Sequence, residues 1–226
     1  MVERLFDIRI TEVGGVETWH PDVRFFEIRD NAGELRGQFY LDPYARSKKR
    51  GGAWMDVCTN RLHTARCDQI PVASLVCNFT PPVADRPSLL THSEVETLFH
   101  ELGHGLHHRL TKIAYPAVAG INGVPWDAVE LPSQFMENWC WEREPLDQLS
   151  GHVDTGEPIP DKTYQRLRAA KNFQSAMQMV RQLELALFDF RIHLEYEPDR
   201  GGRIYEILEQ VRDQVSVLKP PPFNRF

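Results

Sequence analysis

The chain has 226 residues and a formal net charge of −6, an acidic balance that disfavours a general nucleic-acid binder because such proteins need a basic surface. Hydrophobic residues make up 42% and charged residues 26%, which is typical of a globular protein, and no apolar run approaches the roughly 18 residues of a membrane helix. The first nine residues are unlike a secretory signal, and the four cysteines include no C-x-x-C pair. We therefore expect a cytoplasmic protein that binds neither nucleic acid nor membranes.

Strands are predicted in the first third of the chain. They are residues 23–29 (VRFFEIR), 35–41 (LRGQFYL) and 72–79 (VASLVCNF). The segment 30–33 (DNAG) supplies turn residues between the first two, and Pro81 and Pro82 end the third. The third strand is a candidate for pairing with the backbone of an extended peptide, and an ordinary core strand is the alternative.

Helices are predicted for the rest of the chain. The first begins after Ser93 as the N-cap, with Glu94 and Glu96 in its first turn, where the helix dipole favours acids. The others are residues 126–142 with a bend at Pro132, 162–195 as one long helix or two in series, and 204–217. Strands followed by helices predict an α+β fold that is predominantly helical. We expect one domain over residues 1–226, with a strand-rich part (1–90) and a helical part (91–226).

The main chemical signal is the segment His100-Glu101-Leu102-Gly103-His104 on the first of these helices. Residues four apart share a helix face, so both imidazoles can reach one metal ion, and zinc prefers nitrogen ligands at about 2.0–2.1 Å in a tetrahedral set. Glu101 lies about 100° around the helix, which suits a base acting on water at the metal. A glycine inside a helix costs roughly 1 kcal/mol against alanine, so we expect another backbone or a substrate to come close to Gly103.

A catalytic zinc ion needs a third protein ligand besides the two histidines. The next predicted helix offers Asp127, Glu130 and Glu137. We select Glu130, which follows His104 by 26 residues, because the glycine-containing loop between them can bring the second helix alongside the first. Asp127 is a candidate hydrogen-bond partner of a ligand histidine, with a helix N-terminal acid as the alternative, and Glu137 is expected in a salt bridge or capping contact.

Two other groups of residues could carry chemistry. Cys58, His63 and Cys67 could be metal ligands, but their spacing fits no compact zinc pattern, and we expect free thiols that pack as small hydrophobes. His107 and His108 lie near the metal face of the helix, where one could contact substrate, although solvated histidines are the simpler expectation.

The segments HELGHGLHHRLT and GVPWDAVELPSQFMENWCWE closely resemble the M3 family of zinc metallopeptidases. The segments WHPDVRFFEI, RGQFYLDPYAR, KRGGAWMD and RQLELALFDFR are similar to that family as well, so the resemblance covers nearly the whole chain. It implies a zincin-like catalytic domain in which His100, His104 and Glu130 hold one Zn²⁺ and Glu101 is the general base. Leu102 replaces the family's usual phenylalanine. The resemblance further implies cytosolic cleavage of short peptides inside a deep channel.

Family members are much longer than this chain. Beyond the segment that matches PPPFNRF they continue with a histidine-containing F-S-H stretch and a G-Y-x-A-G-Y-Y-S-Y stretch, which supply groups for the substrate and the oxyanion. The resemblance therefore predicts the metal-binding middle of a catalytic region, with the C-terminal half as a possible partner. We expect zinc binding with weak or absent turnover. An incomplete zinc-binding module and a zinc hydrolase acting on another bond are the alternatives.

Overall fold

The computed structural model describes residues 1–218, 220–221 and 223–224, and the chain divides into two compact units, Met1–Ile159 and Pro160–Phe226. This boundary differs from the single domain with an internal change near residue 90 that the sequence predicted. The strands and the first long helix belong to the same unit because they share one hydrophobic core. None of the described helices is both long and apolar enough to cross a membrane.

The strands all precede residue 80 in the described chain. They follow the short helix α1 (Val2–Phe6) and are β1 (Ile8–Glu12), β2 (Arg24–Asp30), β3 (Leu35–Tyr44), β4 (Trp54–Thr59), β5 (Leu62–Thr64), β6 (Cys67–Gln69) and β7 (Val72–Phe79). Five of them form a sheet in the order β1-β2-β3-β7-β4, in which only β3 and β7 run parallel, and β5 and β6 form a separate hairpin. The three predicted strands are confirmed, whereas β1, β4, β5 and β6 were missed. Strands β1, β5 and β6 are short and largely exposed, and β4 contains no fully buried residue.

The helices follow the sheet in sequence. They are α2 (His92–Arg109), α3 (Leu131–Glu137), α4 (Arg143–Leu149), α5 (Asp161–Lys171), α6 (Ser175–Leu194) and α7 (Ile204–Val215), with a 3-10 turn at Asn138–Trp141 that continues α3. The combination of helices with a small sheet confirms the α+β class. The predicted region 162–195 is two helices, interrupted where Gln174 takes a φ of 53°.

Two predicted helix boundaries are wrong. The N-cap of α2 is Thr91 and not Ser93, because Thr91 and Glu94 form a reciprocal capping box. The helix predicted over residues 126–142 begins only at Leu131, so Pro132 lies in its first turn and causes no bend. A proline is tolerated there because its missing N–H would have no partner within the helix.

The core of the first unit lies between the sheet and helices α2 and α3. It joins buried residues of β2, β3 and β7 to residues of both helices, including Ile28, Phe39, Leu75, Phe99, Leu106 and Met136. The second unit has its own cluster between α6 and α7, formed by Phe188, Ile207, Leu208 and Val211. Helix α2 is therefore seated on the sheet along one face, and α3 packs beside it.

Arg109, the last residue of α2, is a buried cation in this core. Its guanidinium lies 4.0 Å from the centre of the Phe39 ring, and its three side-chain nitrogens find no hydrogen-bond partner among the described residues. Burial lowers the pKa of Arg109 to about 9. Gly37 and Gly105 make room for this side chain, because a Cβ added at either would lie within 2.6 Å of an Arg109 atom. A desolvated charge without an acceptor opposes folding.

We expect Arg109→Met to raise the melting temperature of the chain. An unbranched apolar side chain of similar length fills the same space without the desolvation penalty, and such exchanges are neutral or stabilise by about 1–4 kcal/mol. In a chain of this size about 1 kcal/mol corresponds to roughly 2–4 °C in thermal unfolding. The control Arg109→Ala should lower the melting temperature because it leaves a cavity. A lower melting temperature for Arg109→Met would show that the guanidinium stabilises the core.

Candidate metal centre

Helix α2 places His100 and His104 side by side. The two residues are one helical turn apart, and their ring centres are separated by 4.9 Å at an interplanar angle of 83°. His104 and Glu101 are buried, and His100 is partly buried, so the three polar side chains lie at the edge of the core. The helix thus presents two imidazoles to the same point in space.

Helix α3 approaches α2 at Gly103. A Cβ at this glycine would lie 2.6 Å from both the carbonyl oxygen of Pro132 and the Cα of Ser133. The glycine therefore permits a contact with another backbone, as its position in the motif predicted. Glu130, the residue before α3, is brought to the two histidines by this contact, and the Ser133 hydroxyl donates a hydrogen bond of 2.9 Å to its carboxylate.

The structure brings His100, His104 and Glu130 together. The Oε2 atom of Glu130 lies 3.2 Å from Nε2 of His100 and 3.1 Å from Nε2 of His104. One ligand atom from each residue falls within 4.8 Å of the others. Ligands about 2.0–2.1 Å from a tetrahedral ion are separated by roughly 3.3 Å, so this set fits a divalent metal, and two imidazoles with one carboxylate suit zinc.

The carboxylate that contacts one of the two candidate ligand histidines belongs to Glu137 and not to Asp127. His100 Nδ1 lies 2.6 Å from Oε1 of Glu137, whereas Asp127 is exposed and has no hydrogen bond or ion pair among the described residues. Residues 126–130 form turns instead of the predicted helix, so Asp127 does not lie one helical turn before Glu130. A spacing of seven residues, or two turns, was the signal for Glu137, because it puts Glu137 on the face of Glu130.

The hydrogen bond to Glu137 determines the chemistry of His100. A carboxylate accepts the proton of Nδ1, which leaves the lone pair of Nε2 directed at Glu130 and the metal position. Nδ1 of His104, in contrast, is buried and finds no partner among the described residues. Burial also lowers the pKa of His104, with His100 adding to the decrease and Glu130 opposing it, and this favours the neutral imidazole that binds metal.

Glu101 has the environment of a base. Its Oε2 atom is buried and accepts no hydrogen bond from the described residues. Burial raises the pKa of Glu101, the Glu130 carboxylate raises it further, and His100 and the Met55 backbone oppose the increase. A carboxylate with a raised pKa takes a proton more readily near neutral pH.

The other candidate residues do not form a second centre. Cys58 and Cys67 are exposed free thiols, His63 lies 3.3 Å from a carboxylate oxygen of Asp68, and no further metal-binding group occurs in the part of the chain that the structure describes. His108 is fully buried, contrary to the expected solvated histidine, and its Nε2 lies 3.1 Å from the Thr59 carbonyl oxygen. His107 is partly buried.

Two histidines one turn apart on a helix, with a glutamate after the first, are typical of metal-dependent hydrolases. The sequence model of Peptidase family M3 matches residues 1–225, and the chain belongs to this family.

Several named relatives align with nearly the whole chain. Oligopeptidase A of Escherichia coli K12 is 56% identical over 227 residues, which cover 100% of this chain and 33% of that protein. The probable cytosolic oligopeptidase A of Arabidopsis thaliana is 45% identical over 232 residues, which cover 100% of this chain and 33% of that protein. A dipeptidyl carboxypeptidase of Salmonella typhimurium is 39% identical over 226 residues, which cover 98% of this chain and 32% of that protein. The chain thus spans about a third of the length of these relatives.

We expect Gly103→Ala to weaken zinc binding and to destabilise the fold. The added methyl group meets backbone atoms of α3, which cannot rotate away, and such overpacking typically costs about 1–3 kcal/mol. Separating the helices also moves Glu130 from the histidines. The zinc dissociation constant and the melting temperature measure both effects. Gly14→Ala is the control because its Cβ would meet no atom within 4 Å. Equal zinc affinity in the two variants would contradict the assigned contact.

We expect Glu137→Ala to reduce zinc affinity by about 10–100-fold, the usual effect of removing the carboxylate that orients a ligand histidine. Asp127→Ala should leave the affinity within twofold, since Asp127 lies in an exposed turn. Competition with a chromophoric chelator measures both dissociation constants. The reverse order of effects would restore the sequence-based assignment of Asp127.

Proposed function

We propose that this chain carries the catalytic centre of a zinc-dependent endopeptidase that hydrolyses short peptides. The observation that carries the proposal is the position of the Glu130 carboxylate, which lies within 3.2 Å of Nε2 of both histidines. Membership of Peptidase family M3 and the names of the relatives support the same reaction class. A single zinc ion held by His100, His104 and Glu130 in a zincin-like domain is part of this proposal.

Each residue around the candidate metal centre has a separate role in the proposed hydrolysis. When bound, zinc supplies a Lewis acid that lowers the pKa of water and polarises a carbonyl group. Glu101 takes the proton of the attacking water at its unpaired Oε2 and then passes it to the leaving nitrogen. Glu137 keeps the Nδ1 proton of His100 in place, so that Nε2 stays available as a ligand.

The edge of the sheet offers a place for the substrate backbone. The hypothesis that β7 pairs with a peptide is wrong, because β7 lies between β3 and β4 and its hydrogen bonds are used in the sheet. Strand β4 has a single neighbour in the described sheet, and the backbone of Met55 within it lies close enough to Glu101 to affect its pKa. We propose that an extended peptide adds to β4 as a further strand beside the metal centre.

The relatives are about three times as long as the chain. That this chain has the peptidase activity for which the longer relatives are named is therefore part of the proposal. Short peptides are the proposed substrates, and the cytoplasm is the proposed location.

The test combines metal content with hydrolysis of an internally quenched short peptide. We expect the chain to bind one zinc ion and His104→Ala to lose it. Glu101→Gln should retain zinc, because Glu101 is no ligand, and should lower the hydrolysis rate by about 10²–10⁴-fold, the usual contribution of a general base.

Each result has a defined consequence for the proposal. Unchanged zinc content in His104→Ala would overturn the metal centre. Undiminished hydrolysis by Glu101→Gln would overturn the assigned base. Zinc bound by the unmodified chain without any hydrolysis would assign the alternative, an incomplete zinc-binding module.

A further inference from the structure

A line of polar side chains runs along α2 toward the metal centre. His92, Glu96, His100 and His104 follow one another at four-residue intervals, so they share one face of the helix. The last two contact Glu137 and Glu130. The first two also face the segment 131–141, but at its opposite end, and the proposed hydrolysis makes no use of them.

At that opposite end, three side chains form a compact group. The indole Nε1 of Trp141 donates a hydrogen bond of 2.6 Å to Oε1 of Glu96. His92 Nε2 lies 2.8 Å from the carbonyl oxygen of Cys140, and the ring centres of His92 and Trp141 are 4.2 Å apart. The side chains of His92 and Glu96 are only 20% and 28% exposed. His92 and Glu96 precede His100 by eight and four residues, or about 12 Å and 6 Å along the helix axis, and neither belongs to the group of residues that could hold a metal ion.

The segment 131–141 contacts α2 near both of its ends. Near one end the Gly103 contact sets how closely Pro132 approaches α2. Near the other end the indole of Trp141 is tied to Glu96. Glu130 and Glu137 are separated by about two α-helical turns and point to the same side. Trp141 ends the 3-10 turn that follows, and its indole contacts Glu96 of α2. Apolar packing of Met136 and Cys140 is non-directional and leaves rotation of the segment about its axis less restricted than a hydrogen bond does.

We propose that His92, Glu96 and Trp141 are positioning residues that fix the rotation of the segment 131–141 and thereby hold the Glu130 carboxylate at the two ligand histidines. This inference rests on the proposed metal centre. The three residues contact neither substrate nor metal, and they act through Glu130. Glu96 is the central member, because its carboxylate accepts the indole hydrogen bond and lies 3.6 Å from Nδ1 of His92.

The test compares zinc affinity among variants of the whole chain. Trp141→Phe keeps the ring and removes the donor, and Glu96→Ala removes the acceptor. Both should raise the zinc dissociation constant about tenfold, the lower end of effects seen for groups outside the ligand set. Glu96→Gln keeps an oxygen that can accept from the indole, so its affinity should stay within twofold. Glu142→Ala is the control, since Glu142 is an exposed acid next to Trp141.

A spectroscopic measurement separates positioning from general stability. Cobalt(II) absorption reports the geometry of the ligand set, and we expect changed bands for Trp141→Phe and Glu96→Ala but not for Glu96→Gln. The melting temperature of each metal-free variant accompanies the spectra. Zinc affinity and spectra equal to those of the unmodified chain in both Trp141→Phe and Glu96→Ala would overturn the inference. A Glu96→Gln variant with affinity and spectra as altered as those of Glu96→Ala would overturn it as well. The zinc content of His104→Ala distinguishes failure of this inference from failure of the proposed function. If His104→Ala loses zinc, the proposed function stands whatever the other variants show. If His104→Ala retains zinc, the proposed metal centre is refuted.

Discussion

The close contact between α2 and α3 at Gly103 is the constraint on which the metal centre depends. A carboxylate on one helix can share a metal with two imidazoles on another only if the two backbones come much closer than ordinary side chains allow. Gly103 removes the side chain that would prevent this, and the backbone of Pro132 and Ser133 occupies the space. The proline is compatible with this contact because it lies in the first turn of α3, where no helical hydrogen bond is lost.

Burial of ionisable groups on α2 has different consequences for Glu101, His104 and Arg109. Burial lowers the pKa of His104 and raises the pKa of Glu101, and both shifts favour the proposed roles of these residues as a neutral ligand and a base. Burial of Arg109 has no such benefit among the described residues, because the guanidinium has only the Phe39 face as a partner. The same physical effect, the loss of solvation, therefore prepares the site at the middle of the helix and opposes folding at its end.

The sheet orients helix α2 and supplies none of the proposed metal ligands. Phe99 and Leu106 bind α2 to the sheet, and this directs His100 and His104 toward α3. Strand β4 lies at the sheet edge and near Glu101, so a peptide added there would present a carbonyl group beside the base and the proposed metal. The chain belongs to Peptidase family M3, and the relatives named as oligopeptidases are about three times as long as the chain.

The sequence by itself determined the features that depend on neighbours along the chain. The two histidines and Glu101 could be placed on one helix because its period is local, and β7 was predicted to the residue because its apolar run ends at two prolines. Glu130 was selected from its spacing after His104, and the resemblance to family M3 implies the same residue. Only the tertiary structure decided that Glu137 and not Asp127 contacts His100, because the start of α3 depends on turns that pack between elements. It also decided that β4 and not β7 is the edge strand near Glu101, since strand order arises from pairing between distant segments, which no local pattern records.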